Sequence, residues 1–283
     1  FTRYNIHKCR FAFAVCADKT DVFKKGEVYL SKLAYAGSVE ITDTTPENAD
    51  KMVAAITNDA KLFMPLSELV DMEKEIAHEL LSIGAVFLRP EEPFTWASGI
   101  KSPIYCDNRL ILSAPEARVV VEQAIADTVK KQYPDAEMLM GTSTAGIAHA
   151  AIAASILGLP MGYVRGEAKT HGRNNRIEGR MEPGTKVVVI EDLISTGGSA
   201  IDVVEALREA GAEVLGIVSI FTYNMEKGVQ RLAEANVKNI SLTNFDVIAQ
   251  VAAEENYIKE EDIARLIKFR NNPSDESWIG GNN

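Results

Sequence analysis

The sequence predicts an α/β fold with a mostly parallel sheet flanked by helices, preceded by a small N-terminal α+β extension. Three observations lead there. From about Ser67 onward, apolar runs of strand length alternate with helical stretches. The run Val187-Val188-Val189-Ile190 is β-branched throughout, as suits a central parallel strand buried on both faces. Before Ser67 the alternation is absent: short apolar runs at Phe11–Val15, Ser38–Ile41 and Leu62–Leu66 surround a helical stretch near Lys24–Leu33.

Taken in order, the polar segment Thr42–Asp50 is a connector, and Ser67 is placed to N-cap a helix over Glu68–Ile83. A helix is expected over Pro115–Gln132, a strand over Glu137–Gly141, a helix over Ala145–Leu157 and a strand over Met161–Val164. The polar stretch Arg165–Gly184 then leads to strand Lys186–Glu191, helix Ser199–Ala210, strand Glu213–Thr222 and helix Asn224–Glu234. The expected division is 1–75 for the extension, which is near the lower size limit for an independent core, and 76–283 for the main domain. Parallel sheets place ligands beyond the carboxyl ends of their strands, so chemistry is expected in the loops after Gly141, Val164 and Glu191.

Composition narrows the function classes. Hydrophobic residues make up 46% and charged residues 25% of the 283, an ordinary folded composition. A net charge of −10 and a pI of about 5.1 count against nucleic acid or an anionic membrane as the main partner. No apolar run approaches the roughly 18 residues needed to span a bilayer. Phe1-Thr2-Arg3 shows neither a signal-peptide layout nor an initiator Met, as a fragment would begin. Cys9, Cys16 and Cys106 are too few and scattered for a disulfide framework, and the Cys9–Cys16 spacing matches no zinc pattern. A reduced, cytoplasmic chain is expected.

The strongest chemical signal follows the β-branched run: Glu191-Asp192-Leu193-Ile194-Ser195-Thr196-Gly197-Gly198-Ser199. Glycines let backbone approach an anion closely, and N–H groups at the start of the next helix point at it. Ser195, Thr196 and Ser199 add hydroxyl donors, which completes a monophosphate cradle. No Lys stands in the loop, so it is not a Walker A nucleotide site. Glu191 and Asp192 stand where they could accept hydrogen bonds from a ribose diol, or simply cap the helix in solvent. The whole run resembles the PRPP-binding motif of type I phosphoribosyltransferases, which implies that fold and PRPP contacts along Glu191–Ser199.

The nucleobase is indicated by Phe94-Thr95-Trp96-Ala97-Ser98-Gly99-Ile100-Lys101-Ser102-Pro103-Ile104-Tyr105-Cys106-Asp107-Asn108-Arg109, which resembles the base-binding segment of orotate phosphoribosyltransferases. Orotate is a planar anion that suits cations and aromatic walls. Lys101 and Arg109 offer charge, and Phe94, Trp96 and Tyr105 offer walls, although ordinary packing suits Trp96 taken singly. Many family members carry Lys where this chain has Ala97, so no such Lys is carried over; the chain is similar to a subgroup with a small residue there. Ser195 matches the family position that touches orotate. Asn244-Phe245-Asp246 through Ile267, Asn272-Pro273 and Trp278 extend the resemblance over residues from about 72 to 278.

The stretch Arg165-Gly166-Glu167-Ala168-Lys169-Thr170-His171-Gly172-Arg173-Asn174-Asn175-Arg176 has the composition of a surface loop. By resemblance it is the catalytic lid, with Arg165, Lys169 and His171 on the pyrophosphate of PRPP, and with Lys169 and His171 reaching across a homodimer. Arg173 and Arg176 are read as solvated charges. Gly141-Thr142-Ser143-Thr144-Ala145-Gly146 offers backbone N–H groups to further pyrophosphate oxygens, and His149 beyond it reads as packed. The resemblance implies transfer of the phosphoribosyl group to orotate through an oxocarbenium-like transition state. Lys169, His171 and Asp192 are the catalytic candidates; Mg²⁺ arrives with PRPP, with no metal site of the protein's own.

Two further segments, Glu27-Val28-Tyr29-Leu30-Ser31-Lys32-Leu33-Ala34 and Leu62–Glu75, resemble the C-terminal end of valyl-tRNA synthetases, where the second leads into an arm that contacts tRNA. The synthetase's catalytic domain has no counterpart here, so no aminoacylation is implied, and the acidic balance gives little support to retained tRNA binding. The competing reading from another class is a PRPP-sensing regulator, which would have no reason to keep both lid and base-binding segment. A purine phosphoribosyltransferase would share the PRPP loop but not the Phe94–Arg109 string.

Overall fold

The computed structural model describes residues 66–280 apart from 97–98 and 167–175, with side-chain surroundings from Met72 onward, and seven short strands between residues 9 and 65. The chain divides into two units, Phe1–Met72 and Glu73–Asn283.

In the first unit the strands are β1 (Cys9–Phe11), β2 (Ala14–Val15), β3 (Phe23–Lys24), β4 (Glu27–Val28), β5 (Leu30–Ala34), β6 (Val39–Ile41) and β7 (Met64–Pro65). All pairing among them is antiparallel: β1 with β6, β3 with β4, and β5 between β2 and β7. The helix expected near Lys24–Leu33 is therefore a correction, because β3, β4 and β5 occupy that stretch. Gly26 costs a helix about 1 kcal/mol relative to Ala, and Val28 and Tyr29 favour extended backbone; pairing to neighbouring strands then overrides the helical spacing.

Helix α1 (Leu66–Ser82) runs across the division at Met72, and its part in the second unit turns Ile76, Ala77, Leu80 and Leu81 inward, the one-face spacing of an amphipathic helix. Short strands follow: β8 (Val86–Leu88), β9 (Phe94–Thr95), β10 (Lys101–Ser102) and β11 (Ile104–Cys106). They form two antiparallel pairs, β8 with β11 and β9 with β10. A 3₁₀ helix at Asn108–Ser113, N-capped by Asp107, leads to α2 (Pro115–Gln132). Pro115 opens α2, where its missing N–H costs nothing, and Val121, Ile125 and Val129 recur at four-residue intervals on its buried face.

The remaining elements are β12 (Met138–Thr142), α3 (Gly146–Leu157), β13 (Met161–Val164), β14 (Ile177–Glu178), β15 (Lys186–Ile194), α4 (Gly198–Glu209), β16 (Glu213–Thr222), α5 (Glu226–Glu234), β17 (Asn239–Asn244), α6 (Phe245–Glu254) and α7 (Asp262–Asn271). The sheet order is β14-β13-β12-β15-β16-β17, parallel except for the β13–β14 pair. Val187, Val188, Val189 and Ile190 have no exposed surface, as expected of a strand covered on both faces. Strand β15 continues past the expected end at Glu191: Leu193 pairs with Phe221 and Ile194 with Thr222. Leu193 and Ile194 are therefore sheet residues, and the loop begins at Ser195. Among the described residues no helix is long and apolar enough to cross a membrane.

Candidate active site

The carboxyl ends of β12, β13 and β15 lie side by side, so the loops that follow them converge. At the end of β15 the chain passes through Ser195–Gly197 into α4. Gly197 has φ of 73°, a left-handed conformation that favours glycine, and it precedes a first helical turn with no side-chain cap. The uncapped N–H groups of Gly198 and Ser199 remain for an anion. Arg231, on α5, donates from Nη1 to the Thr196 carbonyl at 3.2 Å and braces the loop from behind. The sequence reading missed Arg231, since a lone cation in an exposed helical stretch carries no signal of its own. Behind the same loop, a cavity of about 250 Å³ lies between Ile194, Ser195, Thr222, Met225 and α5. Ile194 itself is buried, and its carbonyl accepts from Tyr223 N at 2.9 Å.

The two acids are not equivalent. Glu191 is only 4% exposed, which excludes the solvated-cap reading for it. Its Oε1 accepts from Thr142 Oγ1 at 2.7 Å and from Asp192 N at 3.0 Å. Burial, then the adjoining Asp192 carboxyl, pushes the Glu191 carboxyl up to about 8, against the lowering pull of Thr142. Asp192 is half-buried, and its carbonyl accepts from Asn108 Nδ2 at 2.7 Å. Asn108, 1% exposed, thus joins the segment Phe94–Arg109 to the acid pair. Nothing distinguished Asn108 within its string, because the bond spans residues 84 apart in sequence.

On the β12 side, Ser143 donates from N at 3.2 Å and from Oγ at 2.5 Å to the Val164 carbonyl, tying this loop to β13. Strands β13 and β14 form the stem of the expected lid, with Tyr163 opposite Glu178 and Val164 opposite Ile177. Arg165 N donates to the Arg176 carbonyl at 2.8 Å, and Arg176 Nε donates to the Arg165 carbonyl at 2.9 Å. The Arg176 guanidinium also grips Asp202 on α4, at 3.1 and 2.5 Å. Arg176 is therefore a correction: it is a structural tie between the stem and the cradle helix, not a solvated charge. Arg165 Nη1 is buried without a hydrogen-bond acceptor, and its nearest carboxylate, Glu178, is 3.8 Å away. Lys169, His171 and Arg173 lie outside the described residues, as do Ala97 and Ser98.

Within Phe94–Arg109, Lys101 Nζ donates to Thr95 Oγ1 at 2.8 Å across the β9–β10 pair. Phe94 and Tyr105 lie 5.7 Å apart, while Trp96 packs edge-on against Tyr223 and Phe269, which is ordinary packing for that ring. Arg109 is engaged by Asp107 through two bonds of 2.6 and 2.7 Å, and this pairing holds the Asp107 carboxyl below its usual range. His149 is buried as expected, with Nδ1 2.5 Å from Glu122 Oε1. Among the described residues no group of three His, Cys, Asp or Glu could hold a metal ion.

Comparison with known proteins bears on this arrangement. The phosphoribosyl transferase domain family matches residues 110–256. Orotate phosphoribosyltransferase of Bacillus cytotoxicus is 57% identical over 208 residues, covering 74% of this chain and 99% of that protein. The chain belongs to the orotate phosphoribosyltransferase family. The Bacillus anthracis orotate phosphoribosyltransferase is equally similar, at 57% over 208 residues with the same coverage. Among solved structures, orotate phosphoribosyltransferase from Aeropyrum pernix aligns with a TM-score of 0.57 and 27% identity, covering 65% of this chain and 99% of that one. UMP synthase of Leishmania donovani aligns with a TM-score of 0.60 and 26% identity, covering 70% of this chain and 42% of that one. The general phosphoribosyl transferase match begins at residue 110, after Phe94–Arg109.

Proposed function

We propose that the loops at the ends of β12, β13 and β15 transfer the 5-phosphoribosyl group of PRPP to orotate, a step of pyrimidine nucleotide synthesis. Orotate N1 forms a bond to ribose C1 as the bond from C1 to the pyrophosphate oxygen breaks. The bonding pair leaves with pyrophosphate, and orotidine 5'-phosphate is the other product. Positive charge develops on the ring and negative charge on the leaving group, so the protein's tasks are orientation and electrostatic stabilisation.

The observation that carries this reading is the uncapped start of α4 after the Glu191–Asp192 strand end, with the lid stem and base-binding segment tied to the same elements through Arg176 and Asn108. In this reading Ser195–Ser199 bind the 5'-phosphate, Asp192 and Glu191 accept from the ribose hydroxyls, and Arg165 turns its unsatisfied Nη1 to the pyrophosphate. Lys169 and His171 close over the pyrophosphate and exclude water. Ser195, Lys101 and Arg109 serve orotate, with Arg109 exchanging part of its Asp107 pairing for the orotate carboxylate. The donors at hand are hard oxygens beside an expected polyphosphate, a chemistry that suits Mg²⁺ arriving with PRPP. When bound, Mg²⁺ supplies charge to the pyrophosphate oxygens. We read the active form as a cytoplasmic homodimer in which each lid serves the neighbouring subunit.

The test is to mix the purified chain with orotate, PRPP and Mg²⁺ and follow loss of orotate absorbance, with uracil and hypoxanthine as controls. Consumption of orotate alone supports the reading. Binding of PRPP without turnover would favour a regulator instead.

A further inference from the structure

We infer that Thr142 is a positioning residue for the phosphoribosyl donor: its hydroxyl, reaching from the end of β12, sets the Glu191 carboxyl that faces the ribose. This deepens the function proposed above and rests on it. Thr142 is 3% exposed, so its hydroxyl is turned into the fold rather than toward a substrate. Its place at the junction of three loops is what matters. Through the β12–β13 ladder it pairs with Val164, where the lid stem begins. Its Oγ1 lies 2.7 Å from Glu191 Oε1 and 3.3 Å from the Ile190 carbonyl.

A hydroxyl has one proton to donate, and the shorter contact is to the carboxyl. With Asp192 N donating to the same oxygen at 3.0 Å, Oε1 is held by two donors, and the Asp192 carboxyl adjoins the same group, so the orientation of the Glu191 carboxyl is set from both sides. Gly146 makes the arrangement sterically possible. A Cβ there would lie 2.4 Å from Thr142 Oγ1 and 2.4 Å from the Ile190 carbonyl, so the crossing of these backbones admits no side chain. The candidate pyrophosphate loop, Thr142–Gly146, and the candidate ribose acid are thereby locked in one geometry. A donor bound at both its ribose and its pyrophosphate would sense the loss of that lock more than orotate would.

The experiment compares Thr142→Val, which keeps the shape and removes the donor, with Thr142→Ser, which keeps the donor. Steady-state kinetics are read with PRPP and orotate varied separately, and thermal unfolding confirms folding. Removing one donor from a buried oxygen corresponds to about a 10-fold effect. Thr142→Val is expected to raise the KM for PRPP by about that factor, to leave the KM for orotate within about 2-fold, and to be rescued by Thr142→Ser to within about 3-fold of wild type. An unchanged KM for PRPP, an equal rise for both substrates, or a Ser variant as impaired as the Val variant would overturn the inference. If Thr142→Val does not fold, Thr142→Ala takes its place in the same comparison. If wild type consumes no orotate, the proposed function fails separately, and Thr142 is judged by calorimetric PRPP binding. There the Val variant is expected to bind about 10-fold more weakly, and equal affinities would overturn the assignment.

Discussion

Glu191 and Asp192 are neighbours of the same chemical type, yet the fold treats them oppositely. Glu191 is buried with its carboxyl pushed up to about 8, and this has a consequence for stability. Between the unfolded carboxyl range near 4.5 and about 8, the folded state holds a proton that the unfolded state has released. Stability therefore falls as pH rises through that window. Unliganded wild type is expected to lose stability relative to Glu191→Gln from about pH 5 to pH 8, by on the order of 1 kcal/mol or more. Denaturant unfolding of both proteins across that range measures the gap, and a constant gap would refute the burial argument. The His149–Glu122 pair gives a second prediction at this scale. His149→Leu leaves Glu122, already raised by burial, without its partner, and is expected to cost about 3 kcal/mol in urea unfolding. Both acids of the Glu191–Asp192 step were legible as candidates from their place at a strand end. Which one is buried was not, because that depends on Thr142, forty-nine residues away in sequence.

At the scale of elements, the site is a set of loops tied at their bases. Arg176 joins the β13–β14 pair to α4 through Asp202. Arg176→Ala and Asp202→Asn are each expected to raise the KM for PRPP by about 5-fold, and the double variant to be no worse than either, since both remove one contact. Steady-state kinetics on the four proteins form the cycle; additive effects would show that the pair does not act as a unit. Lys169→Ala is expected to lower kcat by about 100-fold if the lid stabilises departing charge, and unchanged turnover would remove Lys169 from the mechanism. The elements expected between Glu68 and Glu234 followed from periodicity and strand composition, with differences of a few residues at their ends. The short strands β8–β11 and β14, strand β17 and helices α6 and α7 were not foreseen, and near Lys24–Leu33 strand pairing outweighed a helical pattern that Gly26 had already weakened.

At the scale of the whole molecule, the unit Glu73–Asn283 carries the described site, and the unit Phe1–Met72 has its own strand pairings. Residues 66–283, which keep α1 intact, are expected to fold and to consume orotate at a rate within about 2-fold of the full chain; a gel shift with valine tRNA on both proteins tests the resemblance of residues 1–75 to a tRNA-binding segment. The α/β architecture was readable from the chain alone, as were the candidate anion loop at Ser195–Ser199 and the candidate string Phe94–Arg109. Each of these is written in contiguous residues whose local physics suffices: β-branched runs for a buried strand, glycines and hydroxyls before a helix for an anion. The burial of Glu191, the bond from Asn108 to the Asp192 carbonyl, the tie from Arg176 to α4 and the contact of Thr142 with Glu191 emerge from packing alone. Those pairings join positions distant in the chain, and their geometry is set by how strands register and pack, which no local pattern encodes.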